Sequence, residues 1–71
     1  MLIKLNGLMD YRDNKDPMRL RARIFLWLKF DCYFNNHVIW SDDHVIIDFV
    51  SETDGFGFMV QFGDQDIELL S

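Results

Sequence analysis

The sequence predicts an all-β fold, a small antiparallel meander curled into a half-open barrel. Three observations carry the prediction: apolar and polar residues alternate over long stretches, turn-forming residues recur about every 8 to 12 positions, and eleven of the 71 residues are Phe, Trp or Tyr. A meander of this size must curl or pair its edges to be stable, hence the half-open barrel. The alternative is an α+β fold in which one helix, about 17–30, packs on a four-stranded antiparallel sheet.

The elements follow in order. Residues 2–9 read as a strand bent or bulged at Gly7, and residues 10–17, Asp-Tyr-Arg-Asp-Asn-Lys-Asp-Pro, as a polar loop. From Leu20 to Phe34 every even position is apolar, while the odd ones include Arg19, Arg21, Arg23, Lys29 and Asp31. That is the period of a strand. A helix here would scatter its four cations around the circumference and set three of them in its positive first turns, although Asp16-Pro17 is a good start signal for one. A single strand of this length would run about 53 Å at roughly 3.3 Å per residue, so it must bend, and Phe25 and Trp27 mark the place.

Asn35-Asn36 suits a two-residue turn. His37 to Trp40 then forms a short strand, Ser41-Asp42-Asp43 a turn, and His44 to Val50 a strand with Val45, Ile47 and Phe49 on one face. Residues 51–55 (Ser-Glu-Thr-Asp-Gly) read as a loop, and Phe56 to Phe62 as a strand with Phe56, Phe58, Val60 and Phe62 together. Gly63-Asp64-Gln65 turns the chain into a closing strand, Asp66 to Leu70, with Ile67 and Leu69 inward.

Seventy-one residues make a single domain, 1–71, with a thin core. Cys32 is the only cysteine, so no intrachain disulfide forms and a reducing, cytoplasmic setting is expected. The N-terminus lacks the features of a signal peptide, and the longest apolar run, Ile24 to Leu28, is far below the roughly 20 residues that span a bilayer. No membrane association is expected.

Charge divides the chain sharply. Residues 1–29 hold all seven Lys and Arg and carry a formal +4, whereas residues 30–71 carry −9, giving the net −5. Such a segment must meet water, the basic N-terminal part, or a cationic partner. Net negative charge also argues against nonspecific binding to nucleic acid or to anionic membranes.

Candidate chemistry is sparse. Cys32 falls on an apolar face, where a free cysteine acts as a small hydrophobe. His37 and His44 flank a hairpin and could meet across it, with Asp42 and Asp43 in the turn, but the spacing matches no zinc signature. Asp64, Asp66 and Glu68 alternate, so on a strand they share a face; they form a solvated edge, pair with the alternating Arg19, Arg21 and Arg23, or bind a basic surface. Neither an enzyme, a metal nor a cofactor is expected.

Gly55-Phe56-Gly57-Phe58-Met59 resembles the Gly-Phe-Gly-Phe core of the ribonucleoprotein motif of cold-shock and RNA-recognition domains. The resemblance spans five residues and implies aromatics that stack on bases. Asp54 stands where those families carry Lys or Arg, and no basic residue follows Lys29, so the segment reads as a tight aromatic turn with a core strand.

The expected function is that of a small acidic protein-binding module, an inhibitor or modulator docking on a basic, possibly nucleic-acid-binding, site of a partner. Small antagonists from phage or mobile elements share this composition as a class. Its binding residues are expected to be Asp42, Asp43, Asp48, Glu52, Asp54, Asp64, Asp66 and Glu68, anchored by Trp27, Tyr33 and Trp40. One alternative is a single-stranded nucleic-acid binder using Arg19, Arg21, Arg23, Lys29, Phe56 and Phe58. Another is a structural subunit that forms homodimers or larger homo-oligomers.

Overall fold

The computed structural model describes residues 1–8, 17–32 and 35–71. Its elements are β1 (Leu2–Asn6), α1 (Pro17–Phe30), β2 (Asn36–Trp40), β3 (His44–Phe49), α2 (Glu52–Gln61) and β4 (Asp66–Leu69). The fold is therefore α+β, with a sheet ordered β2-β3-β1-β4 and every neighbouring pair antiparallel. This is the split β-α-β, ferredoxin-like arrangement, a topology that hosts many functions and by itself implies none. The sheet does not close among the described residues, so the expected half-open barrel is replaced by the α+β alternative. The loop expected at 10–17 falls, up to Asp16, outside the described residues, as do Tyr33 and Phe34.

Residues 19–30 of the strand expected over 19–34 belong instead to helix α1. Leu20, Ile24 and Leu28 are buried, with Trp27 packed beside them. A spacing of four satisfies a period of two and also keeps residues on one helical face, so the even-numbered pattern concealed a helical stripe. The remaining even positions, Ala22, Leu26 and Phe30, face outward with Arg19, Arg23, Phe25 and Lys29.

The strand expected over Phe56–Phe62 is likewise helix α2 with its C-cap. Phe58 and Phe62 are buried four apart, whereas Phe56 and Val60 are exposed. Ser51 stands at the N-cap with extended backbone, and Glu52 and Asp54 lie in the first turn, where the helix dipole favours carboxylates. Two glycines cost this helix about 1 kcal/mol each relative to alanine. Packing of Phe58 against Phe49, with centroids 5.6 Å apart, and of Phe62 against Phe58 at 4.8 Å offsets that cost.

The hairpin forms where its alternation and turn residues place it. β2 and β3 pair in the register Val38↔Ile47, closed by Ser41 N–H donating to the His44 carbonyl at 2.9 Å. Asn35-Asn36 is not its turn, because Asn36 already belongs to β2. β1 sits in the middle of the sheet, pairing Ile3 with Ile47 on one side and with Leu69 on the other. At its end Gly7 has φ 77°, and Leu8 N–H donates to the Asp43 carbonyl at 2.9 Å, the bend expected there.

Ile3, Leu5, Val45, Ile47 and Phe49 form one buried cluster with Leu20, Ile24 and Leu28 of α1 and Phe58 and Phe62 of α2. Both helices therefore cover the same face of the sheet. The opposite face is covered by none of the described elements.

Candidate functional site

Strand alternation places Leu2, Lys4, Asn6, His37, Ile39, His44, Ile46, Asp48, Asp66 and Glu68 on the uncovered face. Its central row runs Ile39, Ile46, Lys4, Glu68 across the four strands. Ile39 and Ile46 thus form an apolar centre, with Asp48 towards one end of the strands and Asp66 towards the other. Lys4 Nζ lies 4.0 Å from Glu68 Oε2, which also accepts from Asn6 Nδ2 at 3.1 Å. Lys4 is the face's only Lys or Arg among the described residues.

Of the expected acidic residues, Asp42, Asp43, Asp48, Glu52, Asp64, Asp66 and Glu68 are exposed. They do not share one surface. Asp48, Asp66 and Glu68 lie on the uncovered face, Asp42 and Asp43 at the hairpin turn, and Glu52 and Asp64 near the two ends of α2. Asp64 lies in the turn before β4, so the expected row with Asp66 and Glu68 reduces to a pair. Asp54 is buried, at 3% exposure, in the first turn of α2, and so drops out of any docking surface.

Of the expected anchors, Trp27 is taken up between the helices, edge-on to Phe58 and Phe62 at 5.6 and 6.4 Å. Tyr33 lies outside the described residues. Trp40 is 38% exposed on β2, with the Arg21 guanidinium 5.6 Å above its ring.

The expected nucleic-acid set is dispersed. Phe58 is fully buried while Phe56 is exposed on α2, so the two rings cannot form one stacking platform. The Gly-Phe-Gly-Phe string opens a helix instead of lying on a strand, and the uncovered sheet face carries no Phe, Tyr or Trp among the described residues. Arg21 is committed to the hairpin: its Nη2 donates to the carbonyls of Ser41 and Asp42 at 2.8 and 2.5 Å. Arg23 sits 5.5 Å over the Phe62 ring, and Lys29 rests near Phe25 and Phe30.

The two histidines do not meet. His37 pairs with Asp48 and His44 with Asn6, about four residues or 13 Å apart along the hairpin. No cluster of three or more metal-ligating side chains occurs among the described residues. Cys32 is partly buried, and burial pushes its thiol up to about 11, assisted by the carboxylates of Asp54 and Asp31 and opposed by a hydrogen bond with Asn36. Such a thiol is a poor nucleophile at neutral pH. No helix among the described residues is long and apolar enough to cross a membrane.

The reading from residues alone missed Ile39 and Ile46, the apolar centre of the uncovered face. The signal was present: Val38-Ile39-Trp40 and Val45-Ile46-Ile47 are apolar on both strand faces, which an ordinary half-solvated hairpin does not need. No protein-family description, no curated protein and no solved structure matches this chain.

Proposed function

We propose that this chain is a non-enzymatic protein-binding module that docks the uncovered face of its sheet on a basic surface of another protein. The observation that carries the reading is the apolar pair Ile39 and Ile46, set among Asp48, Asp66 and Glu68 on a face no described element covers. Apolar contact supplies affinity, while the carboxylates steer the encounter and select a cationic partner. The cations Arg19, Arg23 and Lys29 lie on the outer side of α1, across the protein from this face; on the face itself Lys4 lies 4.0 Å from Glu68 and the N-terminal ammonium 3.9 Å from Asp48, which leaves Asp66 as its carboxylate without an ion pair among the described residues. A module of this kind inhibits when the basic surface it covers is a partner's nucleic-acid or substrate groove.

The test is affinity capture of the tagged chain from its native lysate with nuclease present, beside a variant carrying Asp48→Lys, Asp66→Lys and Glu68→Lys. The reading expects a basic partner retained after nuclease and lost by the variant, whose circular dichroism is unchanged. Equal capture by the folded variant overturns it. A second reading, self-association, is favoured by the opposed signs of the α1 outer face and the uncovered sheet face. It expects the size in solution to fall as salt rises.

A further inference from the structure

The two edges of the sheet are built differently. β4 carries Asp66 and Glu68, charges that discourage another strand from pairing there. β2 is Asn-His-Val-Ile-Trp, without a carboxylate, Lys, Pro or Gly. Ser41 N–H bonds to the His44 carbonyl and Val50 N–H to the Asn35 carbonyl, so the odd-numbered residues of this strand face β3. By antiparallel parity the backbone N–H and C=O groups of Asn36, Val38 and Trp40 point away from the sheet. Among the described residues no strand pairs with that side.

A groove runs beside this open edge. One part, about 260 Å³, is lined by Phe25, Leu28, Lys29, Asn36, Val38 and Trp40, and a second adjoins it along Arg21, Ala22, Phe25 and Trp40. α1 thus lies antiparallel to β2, with Lys29 near Asn36 and Arg21 near Trp40. The side chains entering the groove belong to the same residues whose backbone groups point outward. Phe25, at 54% exposure, forms the apolar middle, and no carboxylate lines either part. Among the described residues Arg21 uses only Nη2, for its two carbonyl contacts.

We propose that β2 and this groove form a docking site for an extended, acidic segment of a partner protein, which adds to the sheet as a fifth, antiparallel strand. Main-chain bonds to Asn36, Val38 and Trp40 supply the pairing, and alternate side chains of the segment enter the groove. The groove sets the spacing. Arg21 and Lys29 are eight residues apart on a helix, about 12 Å at roughly 1.5 Å per residue. Carboxylates four residues apart on a strand are separated by about 13 Å at roughly 3.3 Å per residue. The preferred segment therefore presents Glu or Asp at i and i+4, with an apolar residue at i+2 over Phe25 and Val38. This site is separate from the uncovered face and does not depend on the function proposed for that face.

The experiment is an amide NMR titration of the full chain with acetyl-Thr-Glu-Thr-Ile-Thr-Glu-Thr-amide, taken to about 1 mM, the range of a weak single-strand contact. Expected are shifts centred on Asn36, Val38, Trp40 and the Trp40 indole, and loss of binding when the isoleucine nitrogen of the peptide is methylated. Methylating the next threonine leaves binding intact, because that amide points away from β2. Lys29→Glu weakens the peptide about threefold, the size of an exposed charge pair, and the peptide with Lys in place of Glu then binds better. The protein with Asp48, Asp66 and Glu68 reversed to Lys retains the site, which separates it from the other surface. No shifts at these amides, shifts confined to the uncovered face, equal binding of the Lys peptide to the unaltered protein, or pairing of β2 with a second copy in sedimentation each overturn the proposal.

Discussion

The indole of Trp27 meets the ring of Phe58 edge-on, with centroids 5.6 Å apart and planes at 69°, and this contact ties α1 to α2 above the sheet. An aromatic expected to be a surface anchor is thus part of the core. Trp27→Ala is expected to cost about 3 kcal/mol, a large share of what a domain this small possesses, and Trp27→Phe about 1 kcal/mol. Urea denaturation of the three proteins checks both values.

The two glycines of α2 respond in opposite ways to alanine. A Cβ on Gly57 lies 3.5 Å from the Trp27 ring, an ordinary contact, whereas one on Gly55 collides with the thioether sulfur of Met1. Gly57→Ala is expected to stabilise the chain by about 1 kcal/mol through helix propensity. Gly55→Ala loses that gain by displacing Met1, which packs on the core. Thermal melts should rank Gly57→Ala above the unaltered chain, and Gly55→Ala at or below it.

Arg21 is a structural cation. Its guanidinium bonds two hairpin carbonyls and lies over Trp40, so Arg21→Ala is expected to destabilise the protein by about 1 to 2 kcal/mol. Arg21→Lys should recover less than half of this, since an ammonium lacks the planar fork. Arg23→Ala, which among the described residues removes a stacking contact with Phe62, should cost about 0.5 kcal/mol. Equal losses at Arg21 and Arg23 in chemical denaturation would contradict this assignment.

Cys32 makes stability depend on alkaline pH. Its thiol, at about 11 in the folded chain against an ordinary 9.0, is held in the neutral form by folding. Its contribution is complete below about pH 9 and is lost as pH rises towards 11. Urea midpoints of the unaltered chain should therefore fall more steeply between these values than those of Cys32→Ala. Alkylation by iodoacetamide at pH 8 should be slower for the folded chain than for the unfolded one.

The parts of the fold legible from residues are those where one period dominates. Val45, Ile47 and Phe49 recur at every second position and became the buried face of β3; Ser41-Asp42-Asp43 became its turn, Gly7 the bend after β1, and Ile67 and Leu69 took the helix-facing side of β4. In α1 the buried residues recur every fourth position, a spacing that both periods accept. The exposed Phe25, Leu26 and Phe30 then masked the helix, because an amphipathic helix is expected to be polar outside. In α2 the phenylalanines favour a strand locally and the glycines disfavour a helix, yet Ser51-Glu52-Thr53-Asp54 before an apolar run was a helix-start pattern. The candidate site was legible only in part: the shared face of Asp66 and Glu68 follows from their alternation, but Asp64 does not belong to it, Asp48 joins it only through the pairing of β1 with β3 and β4, and Ile39 and Ile46 were not named at all.

By itself the sequence determined the division of charge, the hairpin with its faces, and the closing strand, since these follow from composition and from contacts between residues near in the chain. Tertiary structure alone decided that residues 17–30 and 52–61 are helices, that β1 lies between β3 and β4, and that one sheet face stays uncovered. The reason is that segments compatible with two periods adopt whichever conformation buries more apolar surface against the rest of the chain, and only the assembled sheet sets that surface.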